Sequence, residues 1–322
     1  MKLITVKENE AGQRLDKLLA KYLNKAPKSF FYKMLRKKNI TLNGKKAEGN
    51  EKLQVGDEIK LFLSDETIAN FTEQTKVTKV RKPNLEIVYE DANLLLINKP
   101  AGMLSQKAAP TDVSLVEYVI SYLLDSGQLS ETALQSFRPG ICNRLDRNTS
   151  GLVAAGKSLA GLQAMNALFK ERSLHKFYRC IVAGTISGKQ RIEGWLWKDE
   201  KTNQVHIFKE ERKDALPICT EYEPLQKLTI GGKPYTYLEV NLITGRSHQI
   251  RAHLASIGHP LVGDTKYGNP KINESFRKQY GLKYQLLHAY RLELPKLSGA
   301  LETISEKQFV APLPRIFEAI LK

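Results

Sequence analysis

Three segments carry the residues that could do chemistry. The first is Arg144-Leu-Asp-Arg-Asn-Thr-Ser-Gly151, where Asp146 sits between two guanidinium groups. Flanking arginines hold a carboxylate ionised and also bind phosphates. Taken alone, the segment also reads as a structural ion pair with an Asn-Thr-Ser turn. The second is Thr244-Gly-Arg-Ser-His-Gln-Ile-Arg-Ala-His-Leu-Ala-Ser-Ile-Gly-His-Pro-Leu-Val-Gly-Asp264. Here a Gly turn precedes a basic, amide-rich helix start that favours an anion. Arg246 and His248 lie at that start, and Arg251 falls on the helix, able to reach a carboxylate from elsewhere. His248, His253 and His259 lack the H-E-x-x-H spacing of a metal site, so they read as structural residues or contacts to an anionic partner. The third is Lys176 and Tyr178, two apart and therefore on one face of a strand. A strand tyrosine is in the first instance a core residue.

A glycosidase would need two carboxylates of opposed roles, and only Asp146 is well placed. The chain has no P-loop, no G-x-G-x-x-G and no C-x-x-C pair. No metal, redox or nucleotide cofactor is expected.

These residues must be positioned by an irregular mixture of strands and helices. Leu85–Tyr89 alternates, and Leu94–Asn98 is a continuous apolar run ended by Lys99-Pro-Ala-Gly102, as a buried strand entering a turn would be. Val113–Leu124 and Leu159–Glu171 read as helices. His175–Val182 and Tyr235–Leu242 read as strands, and Gln249–Ile257 as a short helix stopped by Gly258 and Pro260. Few helices among many strands predict an α+β fold with a largely antiparallel sheet rather than a βαβ repeat.

The charge is unevenly spread. The 322 residues contain 50 Lys+Arg and 34 Asp+Glu, a net +16. Residues 1–60 hold 15 of the basic and 7 of the acidic groups, so 15 − 7 = +8 sits in under a fifth of the chain. No acidic residue occurs between Asp16 and Glu48. In that window Leu15, Leu18, Leu19 and Tyr22 fit one amphipathic helix, and Phe30, Phe31, Met34 and Leu35 fit a second. Ile40-Thr-Leu followed by Asn43-Gly44 reads as a strand and turn, and Val55–Leu63 as a turn and closing strand. A small, basic module of this kind suits a polyanion. An anionic membrane is the weaker partner. The first residues lack an apolar signal region, and the longest apolar runs fall far short of ~20 residues. Three cysteines, Cys142, Cys180 and Cys219, read as reduced thiols of a cytoplasmic protein. Residues 64–84 are polar with weak periodicity and read as a linker.

Two resemblances follow. Gly12-Gln-Arg-Leu-Asp16, Pro27–Arg36, Ile40–Gly44 and Gly56-Asp-Glu58 together resemble an S4 RNA-binding domain. That implies docking on structured RNA, with Lys28, Lys33, Arg36, Lys37 and Lys38 as expected contacts. Residues 90–106, Asn143–Leu152, Lys176-Phe-Tyr178, Gly245–Leu254 and Leu287-His-Ala289 occur in the order of, and resemble, the RluA family of RNA pseudouridine synthases. The resemblance implies Asp146 as the catalytic aspartate, Arg251 as its partner and Tyr178 as the residue packing against the target base. Arg144, Arg147, Lys176, Arg246 and His248 would contact RNA. Asn143 and Asn148 depart from the family's common His and second acid. The expected organisation is an S4-like unit over 1–63, a linker over 64–84 and a catalytic domain over 85–322. The expected substrate is large-subunit ribosomal RNA. Transfer RNA, or a non-catalytic RNA-binding or ribosome-assembly role, are the alternatives. A monomer is expected.

Overall fold

A computed structural model describes residues 1–73, 80–81 and 84–322. The N-terminal unit runs β1 (Lys2–Thr5), α1 (Leu15–Tyr22), α2 (Lys28–Arg36), β2 (Ile40–Leu42), β3 (Lys45–Lys46), β4 (Glu58–Leu61) and α3 (Asp65–Phe71). Its strands form an antiparallel sheet in the order β1-β4-β2-β3. Asn43 and Gly44, with φ of 51° and 73°, turn β2 into β3 in the left-handed conformation an Asn-Gly hairpin requires. The apolar spacing read from sequence is the buried face of both helices: Leu15, Leu18, Leu19 and Phe31 are almost fully enclosed with Ile40, Ile59 and Leu61. The opposite face is left to the cations, and Lys28, Lys33, Arg36, Lys37 and Lys38 are all exposed.

The stretch read as a linker opens as structure. Ser64 caps α3 by accepting from the Thr67 amide, Ile68 is buried in the N-terminal core, and Phe71 stacks 4.5 Å from Phe30. Polarity masked a helix held by two apolar side chains. Residues 74–79 and 82–83 of that expected linker lie outside the described residues.

The second unit contains β5 (Ile87–Glu90), β6 (Leu94–Lys99), α4 (Leu115–Asp125), β7 (Gly140–Ile141), β8 (Ser150–Gly156), α5 (Leu159–Glu171), β9 (His175–Ala183), β10 (Gln190–Asp199), β11 (Gln204–Phe208), β12 (Leu216–Ile230), β13 (Lys233–Leu242), α6 (Gln249–Ser256), α7 (Pro270–Tyr280), β14 (Leu287–Glu293), β15 (Gln308–Val310) and α8 (Arg315–Leu321). The main sheet follows β11-β10-β12-β13-β9-β14-β8-β6-β5, with β15 added on β14 and β7 on β8. Among the described residues β14 and β8 are its one parallel pair. The fold is thus α+β and largely antiparallel, as the sequence predicts.

Cores on both faces explain the continuous apolar run of β6. Leu95 and Ile97 pack with α4 and α6, while Leu94 and Leu96 pack toward α5. Burying each such leucine contributes roughly 1.5–3 kcal/mol. Helices α7 and α8 close a further cluster around Phe276 and Phe317. The close approach of β8 to β14 needs Gly151: its φ is +112°, and a Cβ there would stand 2.2 Å from the Ala289 carbonyl oxygen. The two units touch where the buried Ser136 hydroxyl donates to Glu10.

Candidate active site

The turn between β7 and β8 carries Asp146, and its shape is fixed by its neighbours. Asn143 donates to the Leu152 carbonyl and accepts from the Ala154 amide, tying the root of the turn together. The buried Ser105 hydroxyl donates to the Leu145 carbonyl at 2.7 Å and accepts from the Leu145 amide at 3.1 Å. The Asp146 carbonyl accepts from the Thr149 amide, and Gln285 donates to Thr149 Oγ1. Asn143 is therefore a brace of this turn.

Arg251 comes from α6, about a hundred residues downstream. Its NH1 donates to Asp146 Oδ2 at 2.8 Å. Its Nε and NH2 donate in a fork to Asp264 Oδ2 and Oδ1, at 2.6 and 2.9 Å. Asp264 is completely buried and also accepts from the Lys266 and Tyr267 amides. Burial alone would push its carboxyl up, but Arg251 and these donors hold it below the ordinary range. Burial likewise opposes the Arg251 charge, and the two carboxylates outweigh it and keep the guanidinium protonated. The Tyr267 ring lies 5.3 Å from the guanidinium carbon. One anion, Asp264, thus satisfies two donors of the fork and leaves the third for Asp146.

The other Asp146 oxygen, Oδ1, has His248 Nε2 at 4.0 Å. His248 begins α6 in the left-handed conformation, and its Nδ1 is 2.9 Å from the Tyr267 hydroxyl. Burial holds its imidazole below the usual value. Tyr178 lies on β9 between Val240 and Ala289, 8% exposed. Burial, with the Asp146 charge second, pushes its phenol up, so it stays neutral at physiological pH.

Asp146, Tyr178 and Arg251 line one open cleft of about 950 Å³. Arg144, Arg147, Lys176, Arg246 and His248 line it too, so the three residues expected to act on the base and the five expected to contact RNA from this unit converge there. Burial, and then Arg172, lowers the Lys176 ammonium. Lys107, Lys170, Arg172, Lys198 and Lys266 add to this wall, and Asp146 is the one carboxylate among the lining residues. The five N-terminal cations stand instead on their own unit. His253 and His259 are structural: His253 Nδ1 meets Thr220 Oγ1 at 3.0 Å and His259 Nδ1 the Ala183 carbonyl at 2.9 Å. Among the described residues no three His, Cys, Asp or Glu side chains are grouped to hold a metal.

Two positioning residues escaped the sequence reading. Asp264 closed a quoted segment without a role. Lys99 is fully buried and donates to the carbonyls of Pro100, Met103 and Arg147, pinning the turn after β6 against the Asp146 turn. Burial brings its ammonium down to about 7, against the opposing pull of Asp146. A lysine ending an apolar strand was the available signal.

A carboxylate with one oxygen anchored and one facing a cationic cleft suits attack on, or proton removal from, a sugar attached to phosphates. Comparison with known proteins gives the same direction. Residues 93–256 match the family described as RNA pseudouridylate synthase, and residues 13–59 match the S4 domain. A ribosomal large subunit pseudouridine synthase C of Vibrio cholerae is 29% identical over 302 residues, covering 91% of this chain and 88% of the relative. An uncharacterized RNA pseudouridine synthase of Mycoplasma genitalium is 30% identical over 326 residues, covering 100% and 98%. The solved human RNA pseudouridylate synthase domain containing 4 shares the fold, with TM-score 0.56, 24% identity and coverage of 73% of this chain and 91% of that one. The match spans half the chain and includes the Asp146 turn and the Arg251 helix, so the chain belongs to the RNA pseudouridylate synthase family.

Proposed function

We propose that this enzyme converts uridines of large-subunit ribosomal RNA to pseudouridine, with Asp146 as the catalytic carboxylate. The observation that carries the reading is the Asp264–Arg251–Asp146 chain, which fixes one Asp146 oxygen and presents the other to the cleft. The target uridine leaves its stack, at a cost of a few kcal/mol, and enters between Tyr178 and Asp146. Asp146 Oδ1 then acts on the ribose, as nucleophile at C1′ or base at C2′. The C1′–N1 bond breaks, the uracil turns, and a C1′–C5 bond forms. The C5 proton leaves to solvent and N1 takes one up, so the net change is an isomerisation.

Tyr178 serves as the stacking face. A phenol held neutral by burial is a poor proton acceptor, which favours packing over removal of the C5 proton. Arg144, Arg147, Lys176, Arg246 and His248 hold phosphates around the nucleotide. The S4 unit anchors structured RNA through Lys28, Lys33, Arg36, Lys37 and Lys38. The catalytic domain begins near residue 85 and the N-terminal unit extends through α3. Three unpaired cysteines support a cytoplasmic setting.

Carbodiimide mapping of ribosomal and transfer RNA, with and without the gene, tests this. Pseudouridine signals should vanish from large-subunit RNA in the deletion and return with the wild type but not with Asp146→Asn. An unchanged map, or restoration by Asp146→Asn, overturns the reading. Loss confined to transfer RNA replaces the substrate.

A further inference from the structure

We propose that the outer face of the arm formed by β10, β11 and the start of β12 is a stacking platform for unpaired nucleotides of the RNA substrate. The inference rests on the RNA-modifying role proposed above and adds a binding surface outside the cleft.

Strand alternation divides the arm into two unlike faces. Leu196, Val205 and Ile218 are buried with Ala252 of α6, which fastens the inner face to the active-site helix. On the outer face the register pairs Trp195 with Phe208 and Trp197 with His206. These include both tryptophans of the chain. Trp197 is 36% exposed, and its ring lies 5.6 Å from that of His206 at 36°. The Arg212 guanidinium lies over the Phe208 ring at 4.5 Å. A sheet surface that leaves four neighbouring aromatic rings incompletely covered, with a planar cation stacked on one, offers what bases take: π-faces and positive charge.

Its place beside the cleft selects the occupant. Lys198, the neighbour of Trp197 on the opposite face, lines the cleft, as does Asn203 in the turn between β10 and β11. Lys266 clips that turn to the cleft rim by donating to the Asn203 carbonyl at 2.6 Å. A strand leaving the cleft past residues 199–203 passes around the tip of the arm onto the aromatic face. The adjoining cleft, walled by Lys107, Lys170, Arg172, Lys176 and Lys266 with Asp146 as its one carboxylate, favours a polyanion that continues onto this face over a second copy of the chain. Stacking without base-edge donors tolerates any sequence and needs unpaired bases, so the ligand class is single-stranded RNA flanking the target.

Both tryptophans report on this one face, so intrinsic fluorescence reads it directly. The full-length protein is titrated with a single-stranded oligouridylate of about twelve nucleotides and with an RNA duplex of the same length. The single strand should quench tryptophan emission saturably and the duplex should not. With labelled oligonucleotide, Trp197→Ala and His206→Ala should each weaken single-strand binding about tenfold, and Trp197→Phe should keep most of it. Pseudouridine formation in a minimal stem-loop should keep its kcat in all three variants, while KM rises only for substrates with single-stranded flanks. Absence of quenching, or unaltered binding by the alanine variants, overturns the platform. So does concentration-dependent self-association that Trp197→Ala abolishes, which would assign the face to a second copy. Wild-type pseudouridine formation would persist in those cases. Quenching without any pseudouridine formation would instead sink the enzymatic reading alone.

Discussion

The cleft and the N-terminal unit are both cationic, and they use charge in opposite ways. In the cleft, Arg251 is 7% exposed by side chain and has three carboxylate bonds, two of them to the buried Asp264. On the N-terminal unit the cations of α2 and the turn after it stand in solvent. Buried charge is expensive and survives only when paired, so it fixes geometry. Exposed charge is screened and adaptable, so it supplies affinity without defining a reacting atom. The proposed chemistry and the proposed RNA grip thus fall in different electrostatic regimes, and substitutions should separate them.

The largest effect is expected where the buried pairing is broken. Asp264→Asn keeps the shape of the side chain and removes the charge opposite Arg251. Loss of one partner of a buried pair costs about 3–5 kcal/mol of stability. Denaturant unfolding followed by tryptophan emission should show that loss. In the fraction that stays folded, kcat should fall with KM for RNA little changed, because Arg251 still touches Asp146 but is no longer held. Asp264→Glu should recover kcat more than stability, a split that a purely structural acid would not give. Full stability and full kcat in Asp264→Asn would mean that the clamp does not position Asp146.

This clamp also marks where sequence reading stopped. The Asp146 turn and the Arg251 helix were each legible because local spacing announces an arginine-flanked carboxylate and an anion-favouring helix start. Their meeting at 2.8 Å was an expectation that only topology realises. Asp264 stands thirteen positions beyond Arg251, after a turn through Gly263, where a Cβ would stand 2.5 Å from the Tyr284 carbonyl oxygen. Nothing in its immediate neighbours shows that its carboxylate folds back beneath the helix. The helices α1, α2, α5 and α6 were read nearly to their ends because each carries a strong apolar stripe or a clear stop. The arm over 190–230 went unread. Its longest strand contains Pro217 and Pro224, and the register slips between Pro224 and Gln226, which breaks the alternation that signals a strand.

Acid should distinguish the two units next. His253 and His288 are almost fully buried in the catalytic unit, and burial brings both imidazoles down to about 4. A group with a depressed folded pKa stays neutral in the fold while the unfolded chain takes up a proton near 6.5. Stability is therefore fully present above about 6.5 and is lost as pH falls toward 4, by about 3 kcal/mol for each histidine. The chain has no histidine before His175, so the N-terminal unit lacks this liability. Between about pH 6.5 and 4.5, unfolding followed by tryptophan emission should weaken steeply. Hydrogen exchange of α1 and α2 should change little over the same range. Parallel loss in both units would show that they unfold as one, or that the histidines do not govern the acid limb.

The smallest effect belongs to a single exposed cation. Lys33 is exposed on α2 and is one of the proposed RNA contacts, so its replacement should remove one phosphate contact and disturb no core. Lys33→Ala should reduce the slope of log affinity against log salt by about 1, with a several-fold weaker Kd at low salt. At saturating RNA the rate of pseudouridine formation should match the wild type, because no charge near Asp146 changes. Adding Arg36→Ala should lower the slope by a similar further step. Equal slopes in the single, double and wild-type proteins would remove the N-terminal unit from RNA binding and leave the cleft cations to supply all the grip. A fall in saturated rate would instead couple this unit to the chemistry, through the buried Glu10–Ser136 contact that joins the two halves.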